Sequence, residues 1–238
     1  MKKVCGVLGV AVMAGVIVAG CALAGGNEDM HLPEGEPTPA PEGEGWIDLF
    51  ATENVDGWQN VTDNTEGVFS IEDGVFHVIG QKPTRYIAFM PQAFDDFELH
   101  VEFKLTESAN SGVFFRTDPD NPVQGGFEIQ VLDGYQDPPT NHTCGALYDV
   151  VTPMFNMVRP TGEWNSLDIE CMGSELKVWC NGWMIIHTDL AKMTMPIGKF
   201  DTPLAELPQE GHIILQNHGD EAWFRNLLVK SVKHPAGT

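Results

Sequence analysis

From Phe97 to Leu105 the chain reads F-E-L-H-V-E-F-K-L, with apolar and polar residues alternating at every step. Side chains two apart share a face only in an extended strand, so this stretch fits a β-strand and no helix. Glu98, His100, Glu102 and Lys104 would then form its solvated face. Similar signals fill the chain. Residues 68–79 read as a hairpin turning on Asp73-Gly74, and 164–172 with 175–180 as a second. That second hairpin continues through Asn181-Gly182 into 183–187, while 86–90, 212–216 and 222–232 give further strands. No stretch longer than about 8 residues carries an apolar stripe of helical period, and turn signals return every ten or so. The expected fold is all-β: one antiparallel two-sheet sandwich.

Two strands in the middle carry the chemistry. N-S-G-V-F-F-R at 110–116 and G-F-E-I-Q-V-L-D at 126–133 flank a loop, 117–126, that holds two prolines and two adjacent glycines. Alternation places Phe114 and Arg116 on one face of the first strand, and Glu128, Gln130 and Leu132 on one face of the second. A carboxylate, an amide and a guanidinium on a sheet otherwise apolar and aromatic make a candidate binding face.

The formal net charge of −21 argues against a nucleic-acid partner, because phosphates would be repelled. Residues 1–20 read as a signal peptide: Lys2 and Lys3, an uncharged run from Val4, then Val18-Ala19-Gly20 before Cys21. This is the pattern of a bacterial lipoprotein, with Cys21 expected to carry lipid and anchor an exported protein to the membrane, facing the periplasm or cell surface. Residues 21–44, with P-E-G-E at 33–36 and 41–44, lack the apolar content for a core and are expected to be a flexible tether. The sandwich then occupies 45–234. Cys144, Cys171 and Cys180 remain in it, and pairing about the Gly173-Ser174 turn places Cys180 opposite a residue near 167, awkwardly for a bridge to Cys171. Three buried free thiols are expected.

The ordered series G-W-I-D-L-F at 45–50, N-S-G-V-F-F-R at 110–116, G-F-E-I-Q-V-L-D at 126–133 and G-A-L-Y at 145–148 extends to W-N at 164–165 and N-G at 181–182. L-Q-N-H-G at 215–219 and F-R-N-L at 224–227 complete it. This set resembles the 3-keto-disaccharide hydrolase domain family, formerly a domain of unknown function. The resemblance implies a concanavalin/laminin-G-like jelly roll acting on oxidised glycosides outside the cytoplasm, supplied by a sugar 3-oxidoreductase upstream. It leaves a rival, a non-catalytic surface carbohydrate-binding module, since one fold hosts both.

A ketone at C3 of a sugar acidifies the C2 proton, so a base can remove it and the C1 substituent leaves by β-elimination. Water addition then completes a net hydrolysis; direct hydrolysis is the alternative. The chemistry needs a base, an acid and a stabiliser for the enolate oxygen. Glu128 is the candidate base, with His218 and Asp133 as further catalytic candidates. Arg116, Gln130, His142, Tyr148 and Gln216 are the candidate substrate-binding residues. Six of these have a structural alternative: a cross-strand ion pair for Glu128 with Arg116, turns for Asp133 and His218, a surface loop for His142, core for Tyr148. Glu128, Asp133, His142 and His218 also include the donor types of a divalent ion, calcium or a transition metal, although no spacing demands one.

Overall fold

The structure, a computed structural model, describes residues 35–232. Thirteen strands follow in order: β1 (Ile47–Asp48), β2 (Trp58–Asn60), β3 (Phe69–Glu72), β4 (Val75–Val78), β5 (Arg85–Phe89) and β6 (Phe97–Leu105). After them come β7 (Asn110–Thr117), β8 (Phe127–Leu132), β9 (Asn165–Met172), β10 (Glu175–Cys180), β11 (Trp183–Asp189), β12 (His212–Asn217) and β13 (Ala222–Ser231). Helical structure among the described residues is confined to three short 3-10 turns. All pairings are antiparallel. The large sheet runs β11-β10-β9-β6-β13-β4-β3 with β1 beside β13, and the small sheet runs β2-β5-β12-β7-β8. The all-β sandwich read from alternation is therefore the fold.

The core lies between the sheets. The inward residues of β6 (Phe97, Leu99, Val101, Phe103, Leu105) pack in one cluster with Val113, Phe115, Phe127, Ile129 and Val131 of the small sheet. The sharp hairpins turn where left-handed backbone was called for, at Asp73-Gly74 and Asn181-Gly182, all four residues at positive φ. Cys180 stands opposite Leu167, and Cys144, Cys171 and Cys180 are buried free thiols.

The outward face of β6 departs from expectation. His100 is fully buried and Glu102 nearly so. Alternation sets direction, not exposure: His100 Nδ1 lies 2.6 Å from Asp168 on β9, and Arg225 Nε and Nη2 donate to Glu102 Oε2 at 2.8 and 2.6 Å. Cross-strand partners and the chain above them exclude water. Residues 35–44, the described part of the expected tether, also lie on the domain. Thr38 N donates to Ser166 Oγ at 2.7 Å, and Arg159 Nη1 donates to Gly35 O at 3.0 Å and to Glu36 Oε2 at 2.9 Å. Hydrogen bonds hold this strap where composition alone suggested a free chain. Cys21 and the expected signal peptide fall outside the described residues.

Candidate active site

The small sheet turns a second face outward, and its register assembles two rows. One crosses Ala88 on β5, Ile214 on β12, Phe114 on β7 and Glu128 on β8. The next pairs Tyr86 with Gln216 and Gly112 with Gln130. Residues 145–148 extend β8 as a further edge: Gly145 N donates to Gln130 O at 2.8 Å and Tyr148 N to Glu128 O at 2.9 Å. Ala88, Phe114 and Ile214 form an apolar floor separate from the main core, edged by Tyr86, whose ring meets Phe114 edge-on at 5.4 Å.

Glu128 sits on that floor with 4% exposure, and its partner is Lys199, whose Nζ lies 2.7 Å from Oε2. The ammonium is 5.0 Å from the Tyr148 ring centre, 5.3 Å from Phe114 and 5.4 Å from Phe200, a cation among three aromatic faces. Burial pushes the Glu128 carboxyl above its ordinary range, and Lys199 pulls it back. Burial and then the Glu128 charge raise Tyr86 and Tyr148, so both phenols stay protonated well above neutrality. Lys199 itself is fixed through its backbone: Gln124 Nε2 donates to Lys199 O at 2.6 Å, and Gln124 Oε1 accepts from Asp201 N at 3.1 Å. The preceding Gly198 lets this loop touch its neighbour, because a Cβ there would stand 2.1 Å from Asp149 O.

Gly112 shapes the floor. A Cβ at this position would lie 2.6 Å from Glu128 Oε1, so only glycine lets the carboxylate settle over the strand. Gly112→Ala is expected to lower kcat/KM by about 100-fold through displaced geometry while the thermal midpoint moves little. Steady-state kinetics and a melting curve on one preparation check both halves.

The sequence candidates divide. Glu128, Gln130, Gln216 and Tyr148 share this face, and His142 reaches its rim. The His142 ring centre is 5.0 Å from Tyr148, its Nε2 is 2.9 Å from Asp149 Oδ1, and its carbonyl accepts from Gln130 Nε2 at 3.3 Å. Gln130 Oε1 and Gln216 Oε1 are buried acceptors with no donor among the described residues. His218 follows β12 half-buried, two residues beyond Gln216.

Arg116 and Asp133 lie elsewhere. Thr117 faces His212 and Phe114 faces Ile214, so Phe115 and Arg116 together oppose Ile213 in a bulge, with Arg116 at φ 48°. The extra residue breaks the alternation that would have put Arg116 beside Glu128. Its guanidinium instead donates to Asp95 O at 2.7 Å, Gly173 O at 2.6 Å and Asp96 Oδ1 at 2.9 Å, tying the small sheet to the large one. Arg116→Ala is expected to destabilise the fold by about 3–5 kcal/mol, because it removes a buried guanidinium that ties Asp95 O, Gly173 O and Asp96 together, as urea denaturation would show. Asp133 accepts from Ser108 N and Thr161 Oγ1, both at 2.8 Å, and so serves a loop junction. Among the described residues no three His, Cys, Asp or Glu side chains gather as metal ligands.

Lys199 and Tyr86 were missed. Tyr86 stands on a recognised strand, and alternation with Ala88 would have shown its face once the strand was paired with β12. Lys199 lies in M-P-I-G-K-F, where no local pattern marks it.

The family model of the 3-keto-alpha-glucoside-1,2-lyase-like domain matches residues 45–230, the whole sandwich. The chain belongs to this family. A 3-keto-disaccharide hydrolase of Bacteroides thetaiotaomicron is 28% identical over 234 residues, 79% of each chain. A crystal structure from Parabacteroides distasonis, of a protein provisionally assigned to the glycosyl hydrolases, superposes with a TM-score of 0.67. It is 28% identical and covers 79% of this chain and 99% of its own. A Bacillus subtilis protein of galectin-like fold, 12% identical, gives a TM-score of 0.53 over 78% of this chain and 94% of its own, a likeness of fold alone. For this 3-keto-alpha-glucoside-1,2-lyase-like domain, glycoside cleavage is the activity class.

Proposed function

We propose that this protein cleaves glycosides whose sugar carries a ketone at C3, with Glu128 as the base that removes the C2 proton. The carrying observation is the Glu128–Lys199 pair. A carboxylate buried on an apolar floor is more basic than one in water, and the ammonium beside it favours the ionised form that a base needs. As the proton leaves, charge builds on the C3 oxygen, and the Lys199 ammonium stands where it stabilises an enolate held against Glu128. The electron pair of the C2–H bond becomes the C1–C2 double bond while the C1–O bond breaks. The departing oxygen takes a proton from the rim, where His142 is oriented by Asp149. Water then adds at C1 and returns a proton to C2, for a net hydrolysis. Gln130 Oε1 and Gln216 Oε1 would accept from sugar hydroxyls, and Tyr86 and Tyr148, protonated throughout, would donate.

The test is release of 3-ketoglucose from 3-keto-trehalose, or of the phenol from an aryl 3-ketoglucoside, with and without EDTA. Release sensitive to Glu128→Gln supports the enzyme, and loss with EDTA assigns a divalent ion to the reaction. No release, with saturable glycan binding, would leave a carbohydrate-binding module in its place.

We further propose that the protein is exported and anchored through lipid on Cys21, which the residues before it support. Mass spectrometry of the mature N-terminus decides this: an unmodified terminus elsewhere would overturn it. Its substrate must come from a reaction that oxidises a sugar at C3.

A further inference from the structure

A cavity of about 360 Å³ lies on the outward face of the large sheet, across the sandwich from Glu128. That is within the range of small-molecule sites, about 300–1,000 Å³. Its roof is the strap, through Thr38, Pro39 and Pro41, with Trp46 just beyond the strap. Its floor is Glu98 on β6, Asp168 and Glu170 on β9, and Trp179 on β10. Two indoles therefore meet three carboxylates under a hydrogen-bonded cover.

The carboxylates are already partnered. Glu170 Oε1 is 2.7 Å from Lys177 Nζ, and Glu98 Oε2 is 3.9 Å from Lys230 Nζ. Asp168 Oδ1 is 2.6 Å from Nδ1 of the fully buried His100, which fixes its orientation. Acceptors that already have a partner gain little from a cation, and three carboxylates together repel an anion. They do suit pairs of hydroxyl donors, each keeping a second oxygen for a ligand. Indole faces suit the C–H faces of a pyranose ring, being large, apolar and weakly negative.

We infer that this cavity is a second binding site, for one or two units of a neutral glycan, separate from the proposed active site. Both sites can be filled at once because they occupy opposite faces of the sandwich. The role needs no ketone on the sugar, so unoxidised carbohydrate is the expected occupant. It would hold the enzyme on the material from which its substrate is made.

Isothermal titration calorimetry of the whole protein with trehalose, maltose and cellobiose tests this, with choline and glucuronate as charged controls. At least one disaccharide is expected to bind saturably and neither control to do so. Trp179→Ala should weaken that binding by about tenfold or more while release from 3-keto-trehalose is unchanged. Glu128→Gln should leave the disaccharide binding as it was. The binding arms do not depend on turnover, so they hold even if the proposed reaction fails. Should Trp179→Ala not fold, the double substitution Glu98→Gln, Glu170→Gln is expected to give the same loss. Absence of disaccharide binding overturns the inference, as does choline binding that depends on Trp179. Binding lost in Glu128→Gln and kept in Trp179→Ala would return the glycan to the small sheet and overturn it too.

Discussion

Replacing Glu128 with glutamine is expected to reduce turnover of a 3-keto-glycoside by about 10³-fold with the fold intact. The substitution keeps the shape of the side chain and removes only its capacity to take a proton. Lys199, 14% exposed, loses its counter-charge but has a route to water, so the structural cost stays small. Deuterium at C2 of the substrate sharpens the experiment. A primary isotope effect on kcat/KM in the native enzyme shows that C–H cleavage is limiting, and in the variant the step itself is lost. Residual activity within tenfold of native would remove Glu128 from the role of base, and the Lys199 ion pair would then be read as structural.

Lys199→Met is expected to lower activity by about 100-fold at neutral pH, and the deficit should depend on pH. Burial raises the Glu128 carboxyl and Lys199 lowers it, so deleting the ammonium leaves burial unopposed and moves the carboxyl further up. A base must be deprotonated to act. The acid limb of the kcat/KM profile therefore shifts to higher pH in the variant, and part of the loss returns as pH rises. What does not return measures the stabilisation of the enolate. Lys199→Arg should restore the position of the limb better than the rate, since a guanidinium keeps the charge but not the compact geometry. An unshifted limb would show that the ammonium does not set the ionisation of Glu128.

Much of this architecture is legible in the order of residues. Period-2 alternation gives the strands, Asp73-Gly74 and Asn181-Gly182 give two hairpins, and the same alternation aims Glu128 and Gln130 out of the core. Alternation fails where a strand does not keep step. The bulge at Phe115-Arg116 comes from pairing with β12, a strand roughly a hundred residues on, and no local signal in N-S-G-V-F-F-R announces it. Arg116 therefore looks like a partner of Glu128 in the sequence and is a rivet between sheets in the fold. Lys199 is the converse case. Its meaning lies in the rings of Phe114 and Tyr148 and the carboxylate beneath it, brought from other parts of the chain to join the adjacent Phe200. The buried state of His100 and the packing of the strap escape notice for the same reason, because burial belongs to the assembled surface and not to the strand that contributes to it.

Glu128 and Lys199 are separated by 71 residues. Between them the chain leaves the small sheet, lays down β9, β10 and β11 on the large one, and only then returns. The carboxylate is thus synthesised before both its ammonium and Ile214 of the floor beneath it. A chain stalled part-way carries the base without the ammonium that favours its ionised form, so catalytic competence is acquired at the end of folding. During refolding, activity should lag behind the recovery of β-structure, which keeps half-formed molecules from acting on sugars.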